Sequence, residues 1–429
     1  MSDNHDMLWP EENPTRFHLQ EFNQFLLWAY NFGCSDILID SEDRLAVKRN
    51  GFLEKVSLRY VRKEEVSLII NEIFLPSATN LIQSGKPLAF GYTIMTSDES
   101  IIRFRVNASA GQGTNGAAFA IKMVFRTIGD QLPTCEKLQI DPAIVEACTA
   151  ENGIALIVGA TGSGKSTTIA ALIHNRATRF KQHILTAEQP IEYDFKVIPE
   201  SEALSRINQT DVGPHAHIES FPLAIADFLR RAPDAILLGE ARDLESIRGA
   251  IRVSQVGHFV YTTVHANSGP QCIARMADEF DRSERKSIMS KLVDALRVIL
   301  YQRLVTKLQG GRIALCERLI VTETMRRQLL NRLLVVDDIT LDLKILFDTH
   351  GVSLLADAKE KFEQGLIPLT EYILIVNEFG SKEDVDIVVP TANTLLSKGI
   401  LSAAVHADWI ADYEVTEVDS GIVEEGGHV

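Results

Sequence analysis

"GIALIVGATGSGKSTTIAALI", residues 153–173, decides the fold. A short apolar run ends at a Gly-rich turn, and a segment with helical patterning follows. Within it "GATGSGKS", residues 159–166, fits G-x-x-x-x-G-K-S in the strand–turn–helix context that this spacing requires. Gly159, Gly162 and Gly164 let the backbone curl, so that successive N–H groups point inward at phosphate oxygens. Ala160, Thr161 and Ser163 lie between them, and Thr167 follows in the helix. The helix beginning near Lys165 adds its positive end. Lys165 is expected to reach the β- and γ-phosphates, and the Ser166 hydroxyl to ligate Mg²⁺. The bland alternative is a Gly-rich turn with a chance Lys-Ser; the flanking strand and helix argue against it.

Outward from this point, strand and helix patterns alternate. "HILTAEQP", "DAILLGE" and "HFVYTTVH" read as later strands separated by helix-like segments, which implies a parallel sheet covered by helices. "DAILLGEARDLES", residues 234–246, poses a question. Nucleotide hydrolases often end such a strand in Asp-Glu, and here the pair is Gly239-Glu240. A carboxylate at the C-terminal end of a parallel strand can polarise an attacking water. The competing reading of Glu240 is an acid at the start of a helix over "ARDLESIRGA". Gly239 offers nothing to a metal ion, but "AEQPIEY" supplies Glu188 and Glu192 after a different strand. "GHFVYTTVH" places His258 and His265 seven residues apart, roughly 23 Å in a strand at about 3.3 Å per residue, so they cannot share a metal ion. His265 falls at the phosphate end and His258 near the opposite one. His215 and His217 lie on a loop with too few further N or S ligands in view for a metal site.

Towards the N-terminus, residues 17–128 read as an α+β domain. "FNQFLLWAYNFG" is an apolar helix closed by Gly33, and Asn50-Gly51 marks a hairpin. "IIRFRVNA" alternates, with Ile102, Phe104 and Val106 on one face and Arg103, Arg105 and Asn107 on the other. "AAFAIKMVFRTI" is a further strand, ending at Arg126. These arginines fit surface ion pairs or a clamp on nucleotide phosphates; Arg230-Arg231 allow the same two readings. Residues 1–16 are expected to be a disordered leader and 129–149 a linker. The core spans 150–283. Residues 284–385 read as mainly helical with one strand at "RIALCERLIV", and 386–429 as an extension with a possible strand at "VDIVVP" and an acidic tail.

Composition narrows the function. A formal charge of −15 argues against a general nucleic-acid binder and against a polybasic membrane anchor. Five cysteines without a C-x-x-C pair indicate neither a zinc ribbon nor a disulfide framework, which suits a reduced cytoplasmic protein. The N-terminus lacks the pattern of a signal peptide, and no apolar run approaches the ~18 residues needed to span a bilayer. A membrane role is therefore expected to go through a partner.

Taken together, "RFRVNA", "GATGSGKST", "ILTAEQPIEY", "PDAILLGEARDLES" and "GHFVYTTVHANS" resemble the type II/IV secretion ATPase superfamily, the PilT- and GspE-like traffic motors. The last four are similar to its Walker A, Asp box, Walker B and His box. The resemblance implies an α/β fold: a RecA-like P-loop core, a PAS-like N-terminal α+β domain and a helical C-terminal part. It implies that Glu240 is the catalytic acid, that Glu188 and Glu192 are the Asp-box acids, and that His265 lies near the γ-phosphate. By the same resemblance Arg103, Arg105 and Arg126 reach the nucleotide. A "GE" strand ending is normal in this family. The chain departs from it at Gln189, where an Asp is usual, and in lacking the four-Cys zinc module of GspE-like members. "LLADAKEKFEQGLI" resembles the C-terminal helices of the DotB/TraJ branch. The implied protein is a cytoplasmic homohexamer that uses ATP and Mg²⁺. It would serve Dot/Icm-type secretion or plasmid conjugation, with other secretion ATPases and inner-membrane components as partners. A pilus retraction motor, a nucleotide-gated scaffold and a DNA translocase are the rival readings.

Overall fold

The computed structural model describes residues 9, 17–49, 52–96, 101–113, 118–128, 131–214, 216–380, 384, 387–403 and 405–410. Trp9 apart, the expected leader lies outside these residues, as do Asn50-Gly51, His215 and the acidic tail. The described residues form thirteen strands: β1 Asp36–Asp40, β2 Asp43–Arg49, β3 Phe52–Val61, β4 Leu88–Met95, β5 Ile101–Gly111, β6 Ala120–Ile128, β7 Gly153–Val158, β8 His183–Glu188, β9 Arg206–Asp211, β10 Ala235–Leu238, β11 Phe259–Val264, β12 Leu296–Thr306 and β13 Arg312–Ile320. The chain divides into two compact units, one comprising Met1–Pro133 with Ile173–Gly239, the other Thr134–Leu172 with Glu240–Val429.

In the first unit, six strands form a sheet in the order β3-β2-β1-β6-β5-β4. Alternation along β5 works as expected: Ile102, Phe104, Val106 and Ala108 are buried while Arg103 and Arg105 stay half-buried on the other face. The hairpin is present, with Arg49 opposite Phe52. Helix Leu19–Asn31 buries Phe22, Phe25, Leu26 and Ala29, and it ends before Gly33 at φ +77°. Phe22 meets Phe125 at 5.3 Å between ring centroids. Trp9 joins this core at 7% exposure, its ring 5.2 Å from Phe25 and its backbone N–H donating to the Val56 carbonyl at 3.0 Å. The same unit holds β8, paired in parallel with β9 and with β10.

In the second unit, β7 lies between β11 and β12, parallel to both, and every residue of β7 is buried. Burial on both faces explains why "GIALIV" is a continuous apolar run and not an alternating one. β12 then pairs antiparallel with β13 along nine residue pairs, from Val298 opposite Ile320 to Thr306 opposite Arg312. Sequence reading expected this region to be helical apart from β13, so β12 is a correction. The cause is local: helix Arg282–Ala295 runs straight into β12 with no Gly or Pro between them. "VDIVVP" is a second correction, since Val388–Ser397 is helical. Pro390 falls in its first turn, where a missing N–H costs nothing. Phe362 stacks on Tyr372 at 4.5 Å and on Trp409 at 5.3 Å, forming the C-terminal helical core.

Candidate nucleotide site

The loop between β7 and helix Lys165–Arg179 has Gly159, Gly162 and Gly164 at φ +149°, +78° and +89°. These are conformations that side-chain-bearing residues rarely adopt. Gly159 is also sterically confined: a Cβ there would lie 2.5 Å from the Gln302 carbonyl and 2.7 Å from Ser163 Oγ. The Gly159 N–H donates to Val264 at the end of β11. Lys165 is buried at 8% exposure, and its ammonium donates to the Gly159 and Ala160 carbonyls, each at 2.8 Å. Ala160, Thr161, Gly162 and Ser166 stand at the surface, Thr167 is half-buried, and Ser163 is buried with its Oγ unpartnered among the described residues. A glycine-built cradle with one buried cation at its floor fits the phosphates of a nucleotide.

Glu240 follows β10 after Gly239, and its Oε1 lies 3.3 Å from His265 Nε2. The adjoining helix Leu244–Gln255 is capped by Asp243, whose carboxylate accepts from Ser246 N–H at 2.8 Å. The helix-start role is therefore filled by Asp243, which leaves Glu240 to His265. Partial burial and the positive charge of Lys165 hold the His265 ring below its ordinary pKa against the pull of Glu240, which favours the neutral ring. The loop, Lys165, Glu240 and His265 thus form one cluster in the second unit. Beside it a cavity of about 600 Å³ is walled by Leu138, Gly164, Thr168, Gln302, Arg318 and Lys361, among others.

The Asp-box acids form a cluster in the first unit. Glu188 ends β8 and is 9% exposed. It accepts from Thr186 Oγ1 at 2.6 Å and Gln209 Nε2 at 3.1 Å. Burial pushes its pKa up to about 7, Asp211 adding to the shift and the two donors opposing it. Gly239 sits against the same turn: its N–H donates to Ala187 at 2.8 Å, and a Cβ would come within 3.2 Å of that carbonyl and 3.4 Å of Glu188 Cα. This close approach leaves little room for a side chain where other hydrolases place an acid. The Gln189-Pro190 peptide is cis. Glu192 accepts from Arg105 at 2.7 Å, and Asp194 lies 3.2 Å from Arg103, whose Nε has no partner among the described residues. Arg126 instead pairs across the sheet with Asp36 at 2.8 Å. His217 accepts from the Asp211 N–H, and Arg231 pairs with Asp227 one turn back, so both are occupied locally. Among the described residues, no three His, Cys, Asp or Glu converge as a metal site. Sequence reasoning missed Gln209, Asp194 and Gln302, which stand in no spaced motif, and Thr186, which lies inside "ILTAEQPIEY" but acts through its contact with Glu188.

Comparison with known proteins agrees with this chemistry. The sequence profile described as "Type II/IV secretion system protein" matches residues 15–336. The chain is 31% identical over 306 residues to the type IV pilus retraction ATPase PilT of Pseudomonas aeruginosa, covering 71% of this chain and 84% of that one. It resembles the crystal structure of the Legionella pneumophila ATPase DotB with a TM-score of 0.77 and 31% identity, over 86% of this chain and 98% of that one. The pilus retraction motor PilT with bound ADP matches at a TM-score of 0.70 and 28% identity, over 82% of this chain and 96% of that one. The core is accordingly RecA-like and carries an N-terminal α+β domain. A profile match over most of the chain, with the phosphate loop and its acid in place, identifies the chain as a member of the type II/IV secretion system protein family, the traffic ATPases.

Proposed function

We propose that the chain is an ATP-hydrolysing motor that assembles as a homohexamer and powers a type IV secretion machine of the Dot/Icm-like or conjugative kind. The observation that carries this reading is the loop at 159–166, with buried Lys165 beside the Glu240–His265 pair. The similarity to DotB supports the choice of machine.

On this reading the loop N–H groups receive the phosphates, and Lys165 exchanges the Gly159 and Ala160 carbonyls for phosphate oxygens. Glu240 takes a proton from the attacking water. Neutral His265 has one N–H to donate, either to Glu240 or to the terminal phosphate, without adding a charge that would tie up the base. Ser166 is the proposed Mg²⁺ ligand, and an ion bound there would neutralise phosphate charge; Glu188 and Glu192, the acids expected to share it, are held in the first unit by Thr186, Gln209 and Arg105. Ser166 fits this role as an exposed hydroxyl at the helix start. Arg103, Arg105 and Arg126 are the proposed nucleotide-reaching cations. Each would have to leave an acid to do so: Arg103 Asp194, Arg105 Glu192 and Arg126 Asp36. The base and ribose are assigned to the cavity beside Gly164 and Thr168.

Among the described residues no helix is long and apolar enough to cross a membrane. Attachment to the inner membrane is therefore proposed to run through partner proteins, other secretion ATPases among them. The test pairs deletion with complementation. Loss of secretion or conjugation, restored by the wild type and not by Lys165→Ala, is the expected result. Loss of pilus retraction with secretion and conjugation intact would instead assign the chain to the PilT-like role.

A further inference from the structure

Gln302, on β12, is a long polar side chain with 1% exposure. Its Nε2 donates to the Ser163 carbonyl at 2.6 Å, while its Oε1 has no hydrogen-bond partner among the described residues. Leaving half of an amide unsatisfied in the interior is unfavourable, so the half that is used is expected to serve a purpose. Gln302 also touches both ends of the phosphate loop. Its backbone carbonyl is what a Cβ at Gly159 would strike, and its Nε2 lies 3.0 Å from where a Cβ at Gly164 would be.

Peptide geometry gives that contact a consequence. In a planar trans peptide, the carbonyl of one residue and the N–H of the next point in opposite directions. Holding the Ser163 carbonyl against β12 therefore turns the Gly164 N–H away from β12. Gly164 has no side chain and sits at φ +89°, so little else restrains that peptide plane.

We propose that Gln302 is a positioning residue for nucleotide binding, fixing the Ser163–Gly164 peptide so that its N–H faces the phosphates. The proposal rests on the ATPase reading above. It assigns Gln302 to binding and not to the chemical step, because Glu240 and His265 follow other strands. The experiment compares the purified full chain with its Gln302→Met and Gln302→Leu variants. Three quantities are read: the Kd for fluorescent ADP, the steady-state rate of phosphate release from ATP with Mg²⁺, and the melting temperature without nucleotide. The expected result is a rise of about tenfold in Kd and KM, the scale of one lost buried hydrogen bond, with kcat within about twofold. The nucleotide-free melting temperature should change little, since losing the unsatisfied Oε1 offsets the donor lost to the Ser163 carbonyl. Unchanged Kd in either variant, or a drop in kcat at constant KM, overturns the proposal. So does a lowered melting temperature with unaltered Kd, which is what a purely structural role would give. If the wild type itself binds no ADP, the ATPase reading fails and this proposal falls with it.

Discussion

A side chain at 239 would sit tightly against the Ala187 carbonyl, its Cβ 3.2 Å from that oxygen, beside the strand end that carries Glu240. Gly239→Asp should therefore cost roughly 1–3 kcal/mol by overpacking, read as a lower denaturant midpoint at unchanged m-value. Glu188, on the other side of that contact, titrates unusually. Its folded pKa of about 7 stands above its ordinary 4.5. Between those values the unfolded chain releases the proton while the folded one keeps it. Burying Glu188 thus costs little below pH 4.5, and the cost grows as pH rises to about 7, where it levels off. Glu188→Gln keeps an acceptor for Thr186 and Gln209 and removes the titration. Its stability relative to wild type should rise between pH 4.5 and 7 by on the order of 3 kcal/mol, measured by urea unfolding without nucleotide or metal. A flat difference across that window would contradict the buried state of this acid. At this scale the phosphate loop was legible from sequence, because three glycines, a lysine and a serine at fixed spacing meet one chemical need. Glu188's protonation was not, because it arises from burial, with Asp211 adding to it against the opposing Thr186 and Gln209 donors, and burial is set by the tertiary structure and not by the motif.

Elements show a similar division. β7 could be read from its bounded apolar run, and β5 from alternation that the structure reproduces residue by residue. β12 could not, because "LRVILYQRLVT" follows a helix without a breaker, and its identity comes from pairing with β7 and β13. Missing β12 also hid Gln302. β13 carries another feature that only tertiary structure reveals. Asp357, 4% exposed, accepts from the Cys316 N–H at 2.8 Å, Arg318 at 3.0 Å and Lys361 at 2.5 Å. Arg318 reaches Asp141 as well, at 2.9 Å. Asp357→Ala would leave two largely buried cations short of their shared anion. A loss of roughly 3–5 kcal/mol is expected in chemical denaturation, the usual penalty for breaking a buried pair from one side. The same Ala substitution at the exposed Arg327–Glu323 pair should change stability by less than about 1 kcal/mol. Comparable losses at both sites would show that the Asp357 cluster is more hydrated than its burial implies.

For the whole molecule, the net charge of −15 and the proposed ring give distinct expectations. Light scattering of the purified chain with nucleotide should return six times the chain mass; a monomer at every protein and nucleotide concentration would remove the hexamer. Binding to duplex DNA should be weak, without the steep salt dependence of a phosphate-neutralising protein. A strong salt-dependent affinity would favour the translocase reading. The central claim is that ATP seated on the 159–166 loop is hydrolysed with Glu240 as the base. Its most direct test is steady-state phosphate release from ATP and Mg²⁺ by wild type and Glu240→Gln, with nucleotide affinity measured in parallel. The expected outcome is unchanged affinity with turnover reduced ~10²–10⁴-fold, the scale of a lost general base. Normal turnover by Glu240→Gln, or no turnover by the wild type in any assembly state, would contradict it.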